Sequence, residues 1–73
     1  MPEFRFDPAR LRARREELGL RREAEALAID KSFDTVVSYE LGRSVPPSSV
    51  LGKLAAVLEC SPNDFFELVE RAA

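Results

Sequence analysis

The sequence contains no histidine and no tryptophan, and Cys60 is its single cysteine. One thiol forms no intrachain disulfide, and a chain without histidine builds neither a zinc finger nor a nucleophile activated by histidine. No apolar run approaches the ~18 residues of a membrane-spanning helix. We therefore expect a cytoplasmic protein with no membrane association, no metal, no cofactor and no enzymatic activity.

The chain has 73 residues, 45% of them hydrophobic and 33% charged. A second hydrophobic core would need about 50 more residues, so we expect one small domain. The net charge is −2, but up to residue 22 seven arginines face four acids, whereas from residue 23 onward four basic residues face nine acids. One interpretation of this asymmetry is that the N-terminal part of the domain is electropositive and faces a phosphate backbone. An equal alternative is that exposed helices carry these charges for solubility alone.

Capping signals divide the chain into short helical segments. Asp7 followed by Pro8 is typical of a helix start, and Gly19 of a helix end; Ser32 and Gly42 frame a later segment in the same way. With the apolar periodicity, these signals predict helices at about 8–18, 22–29, 33–40, 49–58 and 62–71, after an N-terminal arm over residues 1–7. The expected fold class is all-α, with five short helices in a single domain over residues 8–71.

The break between the second and third segments carries the most specific pattern. The matching residues are Ala26, Ile29, Ser32 and Val36, then Tyr39-Glu40-x-Gly42-Arg43 with a following Pro46. From about residue 10 to residue 66, without a gap, this pattern resembles the Xre or lambda-repressor-like helix-turn-helix family. The resemblance implies a helix-turn-helix fold that binds duplex DNA, with helix 3 in the major groove. Ala26 is small enough for helices 2 and 3 to cross closely.

The resemblance also implies which residues would meet DNA. The positions implied for phosphate contacts are Arg21, Arg22, Lys31 and Arg43, and those implied for base contacts are Ser32, Phe33, Asp34, Val37 and Ser38. None of the base-facing residues is basic; Phe33 and Val37 suit thymine methyl groups, and Asp34 suits a cytosine amino group. A core or partner-contacting role for Phe33 is an equal alternative.

Three further positions carry structural expectations. In the family an arginine of helix 1 pairs with the glutamate that follows the tyrosine, and the matching residues here are Arg15 and Glu40. Family members usually have an apolar residue at the position of Glu25. We expect this carboxylate to be exposed or paired with an arginine of helix 1, a slight rotation of helix 2 being the further alternative. Asp30 stands where glycine is usual, and aspartate tolerates a left-handed backbone better than most residues.

The last predicted helix is a candidate contact surface for a partner or a second copy. It begins with Ser61-Pro62-Asn63-Asp64, a typical helix start, and its candidate contact residues are Phe65, Phe66 and Val69. In this interpretation one ring of the Phe65/Phe66 pair faces outward; the alternative is that both rings belong to the core. The leading hypothesis is a sequence-specific regulator of transcription, repressor-like, that binds double-stranded DNA as a homodimer. The alternative is a helix-turn-helix scaffold whose acidic and aromatic third helix binds a protein partner instead.

Overall fold

The structure, a computed structural model, describes residues 2–70 of the chain. Its elements are β1 (Pro2–Phe6), α1 (Pro8–Glu17), α2 (Arg22–Ala28), α3 (Phe33–Glu40), α4 (Ser48–Val57), a short 3-10 helix (Pro62–Phe65) and β2 (Phe66–Glu70). None of the helices within this described part has the length and apolar composition needed to cross a membrane.

The predicted caps set the bounds of the helices. Asp7 accepts a hydrogen bond from the Ala9 amide at 3.0 Å, and Ser32 Oγ accepts one from the Thr35 amide at 3.1 Å. Gly42 ends α3 with φ at +77°, and a Cβ at this position would lie 3.2 Å from Pro8. Glycine is therefore favoured there both by the backbone conformation and by the close approach of α1.

The core lies between the four α-helices and the 3-10 helix. Six apolar side chains are almost completely buried: Leu11, Ile29, Val36, Leu54, Leu58 and Phe65. Ala26, on α2, is buried as well. This packing fixes α3 with Val36 and Tyr39 turned inward and its opposite side turned to solvent.

The fifth helix predicted over residues 62–71 is wrong. Ser61 caps only one turn: its amide donates to Asp64 Oδ2 at 3.0 Å, and the chain then becomes the extended strand β2. Residue 71, the predicted end of that helix, lies outside the described residues, as does Met1 of the predicted arm. Phe66 and Leu68 lie on one face of the strand and Val69 on the other, and pairing with β1 supplies the backbone hydrogen bonds that a helix would otherwise have made.

The arm predicted over residues 1–7 contains the partner strand. β1 and β2 are antiparallel, with Phe6 opposite Phe66 and Phe4 opposite Leu68. The two strands form a ribbon that packs on the body of the domain mainly through the 3-10 helix. The fold is therefore mostly helical with a two-stranded sheet, and not all-α.

Candidate nucleic-acid interface

The outer face of α3 is accessible to a ligand the size of a DNA groove. Phe33 is 43% exposed and Asp34 is exposed, while Val37 and Ser38 are half-buried on the same side of the helix. Ser32, the N-cap residue, is also exposed. Phe33 is therefore not part of the core. Of the two alternatives to a base contact, only the partner-contacting role remains.

A tight turn sets the angle between α2 and α3. Asp30 adopts a left-handed backbone with φ at +58°, and the Lys31 amide donates to the Ala26 carbonyl at 3.0 Å. The substitution of the usual glycine by aspartate is thus accommodated, as predicted. The turn leaves Lys31 exposed immediately before the start of α3.

Three of the four residues predicted to contact phosphate are exposed around α3. Arg21 caps the start of α2, Lys31 precedes α3, and Arg43 follows it. None of the three forms an ion pair with another of residues 2–70. The acids exposed in the same region are Glu23, Asp30 and Asp34. The net charge of this surface is therefore close to zero, and its positive charge is confined to individual side chains.

Arg22, the fourth of these residues, is engaged inside the domain. Its Nε lies 2.9 Å from Glu40 Oε1, and its side chain is 33% exposed. Sequence reasoning missed this contact, because the spacing between Arg22 and Glu40 has no local signature. Arg22 therefore serves first to neutralise Glu40, and only its exposed part faces the solvent beside α3.

The structure brings Arg15 and Glu40 together in a bidentate pair. Arg15 Nε lies 2.6 Å from Glu40 Oε2, its second nitrogen Nη2 lies 3.1 Å from Oε1, and Nη1 donates to the Leu20 carbonyl at 2.9 Å. Hydrogen bonding to Glu40 raises the pKa of Arg15. Burial alone would raise the pKa of Glu40, but the hydrogen bonds from Arg15 and Arg22 outweigh it and hold that pKa below its ordinary value. The network ties α3 to α1 and to the start of α2.

Glu25 lies next to this network and is buried completely. Its side chain is 0% exposed, and neither carboxylate oxygen has a hydrogen-bond partner among residues 2–70. The expectation that Glu25 is exposed is wrong, and no arginine of α1 hydrogen-bonds it. The inward face of α2 carries it into the core, and burial together with the nearby Glu40 carboxylate raises its pKa to about 7.

Other arginines of α1 stabilise the C-terminal part of the domain. Arg14 donates from Nε to the Leu58 carbonyl at 2.8 Å and from Nη2 to the Glu59 carbonyl at 3.1 Å. Arg10 donates to the Phe66 carbonyl at 2.8 Å. Much of the N-terminal excess of arginine is therefore structural, since these side chains satisfy carbonyls at the end of α4 and on the edge of β2.

The three residues predicted to contact a partner are less exposed than expected. Phe65 is completely buried in the core, so its predicted contact role is wrong. Phe66 is half-buried and meets Phe6 edge to face, with the ring centroids 6.0 Å apart. Val69 is half-buried on β2, and the exposed apolar residues of the ribbon are Phe4 and Leu68.

Comparison with known proteins agrees with the geometry of α2 and α3. The helix-turn-helix family model matches residues 11–65. The solved structure "Crystal Structure of Apo-HppE" is similar to this chain, with a TM-score of 0.76 and 26% sequence identity over 82% of this chain and 34% of that one. This chain thus spans about a third of the length of that structure. A search of curated proteins finds no match.

Proposed function

This chain belongs to the Xre or lambda-repressor-like helix-turn-helix family, and from this membership we propose that it is a cytoplasmic, sequence-specific regulator of transcription that binds double-stranded DNA as a homodimer. The observation that carries the proposal is the outer face of α3, which is exposed while its inner face is held to α1 by the Arg15–Glu40 pair. A rigid, exposed helix of this kind fits the major groove.

The side chains of α3 suit a particular set of base contacts. Phe33 and Val37 present apolar surface for thymine methyl groups, and Asp34 is an acceptor for the amino group of cytosine. Ser32 and Ser38 donate or accept a hydrogen bond, so they suit either partner. We propose that these five residues read sequence, and that the chain acts by occupying its site, without catalysis.

The phosphate contacts come from exposed cations that form no ion pair with another of the described residues. Arg21, Lys31 and Arg43 meet this condition, whereas Arg22 is shared with Glu40. Three contacts per protomer give weak binding, and a two-fold dimer on half-sites about 34 Å apart doubles them. Repression by occupancy of an operator is the simplest outcome of such binding.

A salt titration of binding to random duplex DNA tests the proposal. Each neutralised phosphate contributes about −0.9 to the slope of log affinity against log salt, so three contacts give a slope of about −3 per protomer. The variants Lys31→Ala and Arg43→Ala should each reduce the slope by about 0.9. Lys53→Ala, which removes an exposed lysine from α4, is the matched control and should leave the slope unchanged.

Two results would count against DNA binding. The first is the absence of any affinity for duplex DNA at low salt. The second is a slope that changes equally in Lys53→Ala and Lys31→Ala, because the contact would then be a diffuse attraction unrelated to α3.

The apolar surface around α3 supports a second candidate function, a protein-interaction module. Besides Phe33, the large apolar residues Leu41 and Val45 are exposed just after the helix. Phosphate and base contacts need neither of them, so these exposed apolar residues are available for a protein contact. A stoichiometric protein complex, lost in Leu41→Ser and combined with no affinity for duplex DNA at low salt, would favour this candidate.

A further inference from the structure

We propose that the outer edge of β1 is the self-association surface of this chain, where a second copy pairs antiparallel with Phe4 opposite its own counterpart and Glu3 opposite the second copy's Arg5. This proposal deepens the homodimer of the proposed function, on which the choice of a second copy partly rests. Three features carry it: the hydrogen-bond pattern of the ribbon, its exposed apolar residues and the charge order along β1.

The hydrogen-bond pattern determines which backbone groups face outward. In an antiparallel pair, directly opposed residues alternate between exchanging hydrogen bonds and pointing their polar groups away from each other. The Asp7 amide donates to the Phe65 carbonyl at 2.8 Å, and these residues are opposed when the register is continued by one step. Phe6 and Phe4 therefore fall on outward-pointing positions, and so does Phe66.

The two edges of the ribbon differ in what covers them. On β2, the outward carbonyl of Phe66 accepts a hydrogen bond from Arg10 at 2.8 Å, so a side chain of α1 occupies that edge. On β1, no strand within residues 2–70 pairs with the outer edge. The amide and carbonyl of Phe4 thus point away from β2, and unpaired edge groups of this kind are a template for strand addition.

The exposed apolar residues of the ribbon lie on one face. Phe4 is 75% exposed and Leu68, directly opposite it, is 61% exposed. A hollow lined by Phe4, Asn63 and Phe66 adjoins them. A two-stranded ribbon is marginally stable by itself, and a wider sheet that brings together two copies of this face removes apolar surface from water.

The charge order of β1 identifies the occupant as a second copy in antiparallel orientation. Pairing centred on Phe4 places Glu3 of each strand opposite Arg5 of the other, on the face away from the phenylalanine. In one chain the Arg5 and Glu3 side chains are 58% and 40% exposed, and Arg5 Nη2 lies 3.9 Å from Glu3 Oε1, a long contact. The same two residues therefore complement themselves twice across a two-fold axis.

This geometry also closes the assembly at two copies. Both protomers use the same edge, so the interface is isologous and leaves no β1 edge for a third chain. On the β2 edge, Arg10 already occupies the outward carbonyl of Phe66, so that position is not available to another strand. Pro2 has no amide hydrogen, but its carbonyl still accepts from the opposing strand, so the two ends of the pairing lose one hydrogen bond each.

Sedimentation equilibrium of the full chain tests the proposal. Because the interface is small, we expect the mass to rise from 8.2 kDa toward twice that value at roughly 100 μM. Phe4→Ser should weaken self-association at least about tenfold, since it removes the apolar side chain that each of the two strands buries at the centre of the pairing. Leu27→Ser removes an exposed leucine from α2 and should leave self-association unchanged.

A charge-exchange experiment identifies the register. Glu3→Arg places arginines opposite each other in a homodimer and should abolish it. Arg5→Glu places carboxylates opposite each other in the same way and should also abolish the homodimer. It is made together with Glu67→Lys, because residues 5 and 67 are opposed within the ribbon. Mixing the two variants should restore a heterodimer. A wild-type chain that stays monomeric at roughly 100 μM, or variants that neither dissociate alone nor associate when mixed, would overturn the proposal.

Binding of Phe4→Ser to random duplex DNA at low salt separates this proposal from the proposed function. If the monomeric variant still binds DNA, but more weakly than wild type, both the β1 interface and the DNA-binding function are supported. A wild-type dimer, lost in Phe4→Ser, that has no affinity for DNA supports the interface and refutes the DNA-binding function. A chain that binds DNA and associates equally well with and without Phe4 refutes the interface alone.

Discussion

Replacing Glu25 by glutamine is expected to flatten the pH dependence of this domain's stability. Burial and the neighbouring Glu40 carboxylate raise the pKa of Glu25 from 4.5 to about 7. A carboxyl group whose pKa is raised by folding stabilises the fold below its unfolded pKa, and this contribution is lost as the pH rises through the folded pKa. At about 1.4 kcal/mol per pH unit, the free energy of unfolding should fall by about 3 kcal/mol between roughly pH 4.5 and pH 7.

This loss is large for a small domain, and it can be separated from the titration of Glu40. A domain of this size has a free energy of unfolding of roughly 5 kcal/mol, so the change is more than half of the total. Arg15 and Arg22 hold the pKa of Glu40 below its ordinary value, so the stability that Glu40 contributes is present above 4.5 and is lost only at more acidic pH. The window between 4.5 and 7 therefore reports on Glu25.

Urea unfolding followed by circular dichroism, from about pH 5 to about pH 8, measures the effect. Wild type should lose stability across this range, whereas Glu25→Gln should hold nearly constant and exceed wild type by about 2 to 3 kcal/mol at the alkaline end. Glu23→Gln, an exposed change in the same helix, is the control and should follow wild type. Parallel profiles for wild type and Glu25→Gln would refute the reasoning.

Three further predictions concern contacts around the same core and the outer face of α3. Arg15→Ala should lower the free energy of unfolding by about 3 kcal/mol in urea unfolding, because it leaves the buried Glu40 carboxylate with one cation fewer. The control Arg12→Ala, on the exposed side of α1, should lower it by less than about 1 kcal/mol. Glu59 has φ at +55°, so Glu59→Gly should raise the midpoint of thermal unfolding and add about 0.5 to 1 kcal/mol, while Ala24→Gly in an exposed helix position should lower it. Asp34→Ala should change the sequences recovered from a random duplex library, and an unchanged preference would remove Asp34 from base reading.

The helical part of the fold could be predicted because its signals are local. Asp7 with Pro8, Ser32 and Gly42 each act within a few residues, and the helix bounds they indicate agree with the structure to within one residue at either end. The position of α3 is set in the same way by the turn at Asp30. Such signals need no knowledge of distant contacts.

The last strand could not be predicted from local signals, because its partner lies at the other end of the chain. Ser61 and Asp64 form the capping box of a helix start, and this one-turn structure is real. The extended conformation of residues 66–70 is decided by pairing with β1. The alternation of Phe4 and Phe6 with charged residues in β1 was the signal available, and it has the period of a strand.

The candidate site was predictable in its outline and less so in its electrostatics. The pair formed by Arg15 and Glu40 is implied by the family resemblance, but the engagement of Arg22 depends on how α2 lies against α3. The burial of Glu25 likewise depends on tertiary packing, which the sequence of a seven-residue helix does not reveal. The engagement of Arg22 and the burial of Glu25 are therefore visible only in the fold.

Chemical-shift mapping of the isotope-labelled chain with a short duplex at low salt tests the central claim most directly. If the outer face of α3 enters the major groove, the largest changes in amide shifts should fall on residues 31–38, with further changes at Arg21 and Arg43. Amides of α4 should change least, and amides of β1 should change only where a second copy pairs with that strand. Changes concentrated on the ribbon or on α4, with α3 unaffected, would contradict the account.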